Sequence, residues 1–154
     1  MLNPSKMPGQ PRQPRRLVLA LTLATIGLAA CGGDDEAASK KIVIKTRLAI
    51  PSGEVIRGSS LGDSPFCQGG KFRDRPSEDH GIGSVDRTLR CSDGSLRIGF
   101  SPGEPRGRTQ VGPWKIVSGT GAYKGLRGSG RMEVTFERRS SSKGRETFTG
   151  RVAP

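Results

Sequence analysis

Cys91-Ser92-Asp93-Gly94-Ser95-Leu96-Arg97-Ile98-Gly99-Phe100 decides the fold of this chain. An Asp-Gly pair stands between two strand-like runs, and a two-residue hairpin turn favours that pair because both central positions need positive φ. After the turn Leu96, Ile98 and Phe100 recur at every second position, the pattern of a strand with one buried face. The same alternation runs through Ile42, Ile44, Leu48 and Ile50, with Lys41, Lys45 and Arg47 opposite. It returns in Met132, Val134 and Phe136 beside Arg131, Glu133 and Glu137. One apolar and one polar face is what an antiparallel sheet around a single core requires.

Working outward, glycine and proline punctuate residues 41–154, and no stretch there sustains a 3.6-residue apolar period. About eight strands are predicted, near 41–50, 54–59, 66–73, 85–91, 95–101, 113–118, 128–138 and 145–153, with 139–144 as a longer hairpin loop. The fold class is all-β, a single antiparallel eight-stranded β-barrel. Closure removes the exposed edges that favour aggregation, and the lumen of such a barrel holds side chains or one small ligand.

The N-terminal quarter, residues 1–40, reads differently. Arg12, Arg15 and Arg16 precede an uninterrupted apolar run from Leu17 to Ala30, which ends in Leu28-Ala29-Ala30-Cys31. A basic segment, a short apolar segment and a small-residue cleavage site form a secretory signal peptide. As a helix the run would rise about 21 Å, short of the ~30 Å hydrocarbon core, which argues against a transmembrane anchor. Cysteine directly after Leu-Ala-Ala resembles the lipobox of bacterial lipoproteins, and that likeness implies acylation of Cys31. The expected organisation is a lipoprotein signal peptide over 1–30, a lipidated Cys31 with a flexible linker over 31–40, and the barrel over 41–154. Gly32 to Lys40 carry no apolar residue larger than alanine, too little to offset the entropy of ordering them.

Charge and cysteine usage follow from that location. Without residues 1–30 the chain keeps 22 Lys+Arg against 14 Asp+Glu, a net of +8 in place of +12. Export argues against nucleic acid as the partner, and the basic residues are spread along the chain. The expected partners are the lipid bilayer through acylated Cys31, and a small apolar ligand or anionic envelope components. With Cys31 committed to lipid, Cys67 and Cys91 remain as an even pair in an oxidising compartment and are expected to form a disulfide.

Trp114-Lys115-Ile116-Val117-Ser118-Gly119-Thr120-Gly121-Ala122-Tyr123-Lys124-Gly125-Leu126-Arg127-Gly128-Ser129-Gly130 resembles the glycine-rich signature of the allene oxide cyclase-like and dirigent-like β-barrels. The likeness is greatest to bacterial secreted lipoprotein members, and Phe148-Thr149-Gly150 extends it. It covers about residues 111–152 and implies an eight-stranded antiparallel barrel. On physical grounds Gly119, Gly121, Gly125, Gly128 and Gly130 are expected to bend and pack barrel strands, with Tyr123 laid over the glycine backbone. A phosphate cradle fits poorly, because neither the dinucleotide spacing nor a following Gly-Lys-Ser/Thr is present.

Catalytic residues stay unassigned. Asp63, Asp74, Asp86 and Arg97 match the acids and arginines of dirigent barrel mouths in residue type only. The lone His80 sits in a polar, glycine-flanked segment, and Asp74, Glu78, Asp79 and His80 lack metal-loop spacing. No metal and no cofactor is expected. Two function classes remain: an envelope lipoprotein with a non-catalytic ligand-binding or structural barrel, and an isomerase-like or dirigent-like enzyme for a small apolar substrate in the lumen. The lumen discriminates them, an open cavity with convergent polar groups favouring binder or enzyme, a plugged core favouring a structural role.

Overall fold

A computed structural model describes residues 38–78, 83–139 and 141–154. The first strand, β1 (Lys40–Ala49), turns at Ile50-Pro51 into β2 (Ser52–Val55), and a two-strand ribbon, β3 (Ser60–Leu61) and β4 (Ser64–Pro65), follows. Next come β5 (Lys71–Pro76), β6 (Val85–Cys91) and β7 (Gly94–Phe100), and the chain ends in three long strands, β8 (Thr109–Gly121), β9 (Arg127–Phe136) and β10 (Lys143–Ala153).

Every pairing is antiparallel, in the order β10-β9-β8-β7-β6-β5-β2-β1, and β10 then pairs with β1 from Lys40↔Val152 to Ala49↔Lys143. Eight strands therefore close into a barrel, as the alternation predicts. The ribbon β3–β4 lies outside that ring, with Leu61 and Ser60 paired to Ile42 and Val43 of β1 beyond the reach of the short β2. A hairpin joins β6 to β7 in register Cys91↔Gly94 through Val85↔Phe100, so its two loop residues are Ser92 and Asp93, neither at positive φ, and Gly94 opens β7 in place of the expected Asp93-Gly94 centre. Val117 is an extra residue on β8, since Ile116 and Ser118 oppose Ile98 and Arg97. Such a bulge increases local twist and helps a sheet curl.

Two predicted strands are displaced. The one near 54–59 ends at Val55, and the one near 66–73 begins only at Lys71. Gly58, Gly62, Cys67 and Gly69 all hold positive φ, so turns break the chain there and leave room only for the two-residue strands β3 and β4. β8 runs well beyond the predicted 113–118 in both directions.

Alternate residues fill the lumen. Ile42, Ile44 and Leu48 of β1, Leu89 of β6, Leu96 and Ile98 of β7, Met132 and Val134 of β9, and Phe148 and Val152 of β10 are buried in one cluster. Phe148 meets Phe100 edge-on at 5.3 Å between ring centroids and Trp114 at 6.2 Å. The closed ladder and the core it encloses are complete within residues 38–154, so that segment folds on its own. Residues 1–30 and Cys31 lie outside the described residues, and Lys40, assigned from sequence to the linker, is the first residue of β1.

Candidate functional site

Polar groups enter the lumen by strand parity. Asp74 lies two residues after Phe72 on β5, Arg87 stands between Val85 and Leu89 on β6, Thr46 between Ile44 and Leu48 on β1, and Glu146 two residues before Phe148 on β10. Register sets Asp74 opposite Arg87 and Thr46 opposite Glu146, and these two pairs meet inside the barrel. The Arg87 side chain is 0% exposed, that of Glu146 2% and that of Asp74 12%.

Arg87 Nε and Nη2 each donate to one Asp74 carboxylate oxygen at 2.7 Å, a bidentate fork. Its Nη1 donates to Glu146 Oε2, and Nη2 also reaches Glu146 Oε1 at 3.2 Å. The Thr46 hydroxyl donates to Glu146 Oε2 at 2.6 Å. The guanidinium carbon lies 3.8 Å from the Phe72 ring centroid, with Phe100 at 5.0 Å and Phe148 at 5.3 Å. Burial pulls the Arg87 pKa down, but the Asp74 hydrogen bonds and the charges of Glu146 and Asp74 outweigh it and leave it above its ordinary value. Arg87 is a fixed cation held between the carboxyl groups of Asp74 and Glu146.

The chemistry open to this cluster is limited by its own bonds. All four carboxylate oxygens accept from Arg87, and Glu146 Oε2 accepts from Thr46 as well. A general acid or base needs a carboxyl free to reach a substrate proton, and here both carboxyls are bonded to Arg87. Five hollows of about 310–570 Å³ are lined mostly by outer-wall and loop residues, one of them also by the core residues Phe100 and Trp114 and another by Val55, and none of the five is lined by Asp74, Arg87 or Glu146.

The glycine-rich run closes the opposite end. Between β8 and β9 the chain turns at Gly121, whose φ is +59°, and a Cβ there would sit 2.3 Å from the Asp93 carbonyl oxygen. The turn is thereby laid on the Asp93-Gly94 hairpin, where the Ala122 amide donates to the Asp93 carbonyl at 3.0 Å. Gly119, Gly128 and Gly130 face neighbouring backbone just as closely, and Gly125 supplies a second positive φ, +83°. Tyr123 is carried into the end of the core, only 3% exposed, where its hydroxyl donates to Asp93 Oδ1 at 2.6 Å. Its ring meets Phe66 edge-on at 5.4 Å. Burial and that carboxylate hold the phenol well above its ordinary pKa. Beside Phe66, Cys67 is bonded to Cys91 with Cα atoms 4.9 Å apart. The run packs one barrel end.

Other sequence candidates scatter. Asp63 is exposed in the β3–β4 turn, Asp74 is inside, and Asp86 is on the outer face, where Arg97 donates to its Oδ2. They form no common site. Asp79 and His80 lie outside the described residues, and Asp74 of that group is committed to Arg87. Among the described residues no three His, Cys, Asp or Glu side chains group as a metal site.

Arg87, Glu146 and Thr46 were not among the sequence candidates. Their signal is the parity that also picks out the core, since each sits two residues from an apolar inward neighbour. An arginine or glutamate at such a position is ordinarily read as a break in the pattern. Set against protein-family models, curated proteins and solved structures, the chain matches none.

Proposed function

We propose that this chain is an exported lipoprotein, acylated at Cys31 and held to the outer face of the bacterial cell membrane, whose barrel is a non-catalytic structural scaffold. The observation that carries the scaffold reading is the filled lumen. Apolar side chains occupy it along its length, and its one charged cluster has every carboxylate oxygen bonded. A lumenal enzyme would need to break the bonds of Arg87 to Asp74 or Glu146 before either acid could serve a substrate. The anchor reading rests on Leu28-Ala29-Ala30-Cys31 behind an apolar run too short to span. The glycine-rich run and the closure of eight strands support kinship with the allene oxide cyclase-like and dirigent-like barrels, which is part of this proposal.

Two measurements test it. Intact mass of the membrane-fraction protein should carry acyl chains on a mature N-terminal Cys31, and an N-terminus without them refutes the anchor. Trp114 is the sole tryptophan and lies in the lumen, 2% exposed. Its fluorescence should show no saturable response to medium-chain fatty acids or aromatic alcohols, and a stoichiometric response refutes the scaffold.

A further inference from the structure

We propose that the outer wall formed by β1, β10 and β9 is a docking surface for anionic lipid headgroups. Alternation that sends Ile42, Ile44 and Leu48 inward sends Lys41, Lys45 and Arg47 outward, and β10 and β9 add Arg145, Arg151 and Arg131. All six are exposed. Along the outward faces of these three strands the only acid is Glu133, and Glu54 of the adjoining β2 is already shared by Arg47 and Lys71.

Register makes the wall more than a basic surface. Lys41 is the direct cross-strand partner of Arg151, and Arg47 of Arg145. Like charges directly opposite destabilise a sheet, and nothing in the barrel core requires them there. A polyanionic surface converts that repulsion into attraction, and several cations acting together on an anionic leaflet bind where one would not.

The occupant is identified by continuity with the tether. Arg151 Nε donates to Ser39 Oγ at 2.9 Å and its Nη2 to the Ser39 carbonyl at 3.1 Å, so the chain enters the barrel on this wall. Ser39 is eight residues after Cys31 in sequence. At about 3.6 Å per residue a fully extended tether reaches at most about 29 Å, which keeps the wall near the headgroups. This step rests on the acylation of Cys31 proposed above.

The test uses the self-folding segment 38–154, without Cys31, in co-sedimentation with vesicles of phosphatidylcholine alone or with ~30% phosphatidylglycerol. The wall variant is Lys41→Glu/Arg131→Glu/Arg145→Glu, and the control, equal in charge, is Arg73→Glu/Arg90→Glu/Lys124→Glu on exposed positions elsewhere. In the wall variant two of the new carboxylates face Arg151 and Arg47, so the fold is spared. The parent should prefer the anionic vesicles and lose that preference as salt rises to about 0.5 M. The wall variant should lose at least about tenfold in partition and the control about twofold. No preference for phosphatidylglycerol overturns the proposal, as do equal losses in the two variants. Tighter binding to soluble polyphosphate or to nucleic acid than to the vesicles overturns it in favour of a polymer partner. Vesicle preference with an unacylated Cys31 in the full chain removes the anchor and keeps the wall; acylated Cys31 with no preference removes the wall alone.

Discussion

Replacing Arg87 by methionine removes the cation from a cluster whose two carboxylates stay behind, with side chains 2% and 12% exposed. Breaking a buried ion pair by deleting one partner costs about 3–5 kcal/mol, because the remaining charge loses its compensation. Loss of the stack on Phe72, 3.8 Å away, adds about 1 kcal/mol, and apolar contact of the methionine returns a similar amount. The net cost at neutral pH stays near 3–5 kcal/mol, a large part of the ~5–15 kcal/mol that holds a typical domain. Urea unfolding followed by Trp114 fluorescence should show that deficit at about pH 7. Adding Asp74→Asn and Glu146→Gln should recover about 2 kcal/mol or more. A single variant within about 1 kcal/mol of the parent, or a triple variant no more stable than the single one, contradicts this.

Three further outcomes are expected. Cys67→Ser/Cys91→Ser, which opens a link of sequence separation 24, should cost about 3 kcal/mol in urea unfolding, and parent-like stability contradicts the tie across that end. Gly121→Val, with a Cβ 2.3 Å from the Asp93 carbonyl and φ +59°, should cost about 2–3 kcal/mol, while Gly125→Ala, at φ +83° with no atom within 4 Å, should cost only about 1 kcal/mol; equal thermal shifts contradict close packing as the cause. Tyr123 is the sole tyrosine, and its folded pKa lies above the unfolded value near 10, so its contribution is complete below about pH 10 and falls as pH rises further. Near-ultraviolet absorbance should show no tyrosinate in the folded protein near pH 10, and a midpoint there contradicts the buried bond to Asp93.

Much of the barrel is legible in residue order because its longest strands each carry one solvated and one buried face. The Asp93-Gly94 pair marks the β6–β7 hairpin, but the loop itself is Ser92-Asp93, one residue earlier, because Gly94 pairs with Cys91 as the start of β7. The Cys67–Cys91 bond joins the two cysteines that remain once Cys31 is set aside, as expected from the cysteine count. β3 and β4 escape a periodicity reading because two residues carry no period; they exist through their pairing with the edge of β1. The predicted strand at 66–73 fails for a similar reason, since the backbone breaks at Cys67 and Gly69 while Phe66 stays buried against Tyr123. The lumenal cluster is legible in parity but not in residue type. Arg87 is acceptable inside only because Asp74, Glu146 and Phe72, distant in sequence, converge on it.

The barrel encloses a core of apolar side chains packed around Arg87. Xenon enters apolar voids and leaves well-packed interiors empty, which makes a crystal structure under xenon pressure the most direct measurement. The expected result is no xenon inside the barrel and Arg87 bonded to both Asp74 and Glu146. A xenon atom among Phe72, Phe100 and Phe148, or Arg87 turned away from either carboxylate, would contradict it.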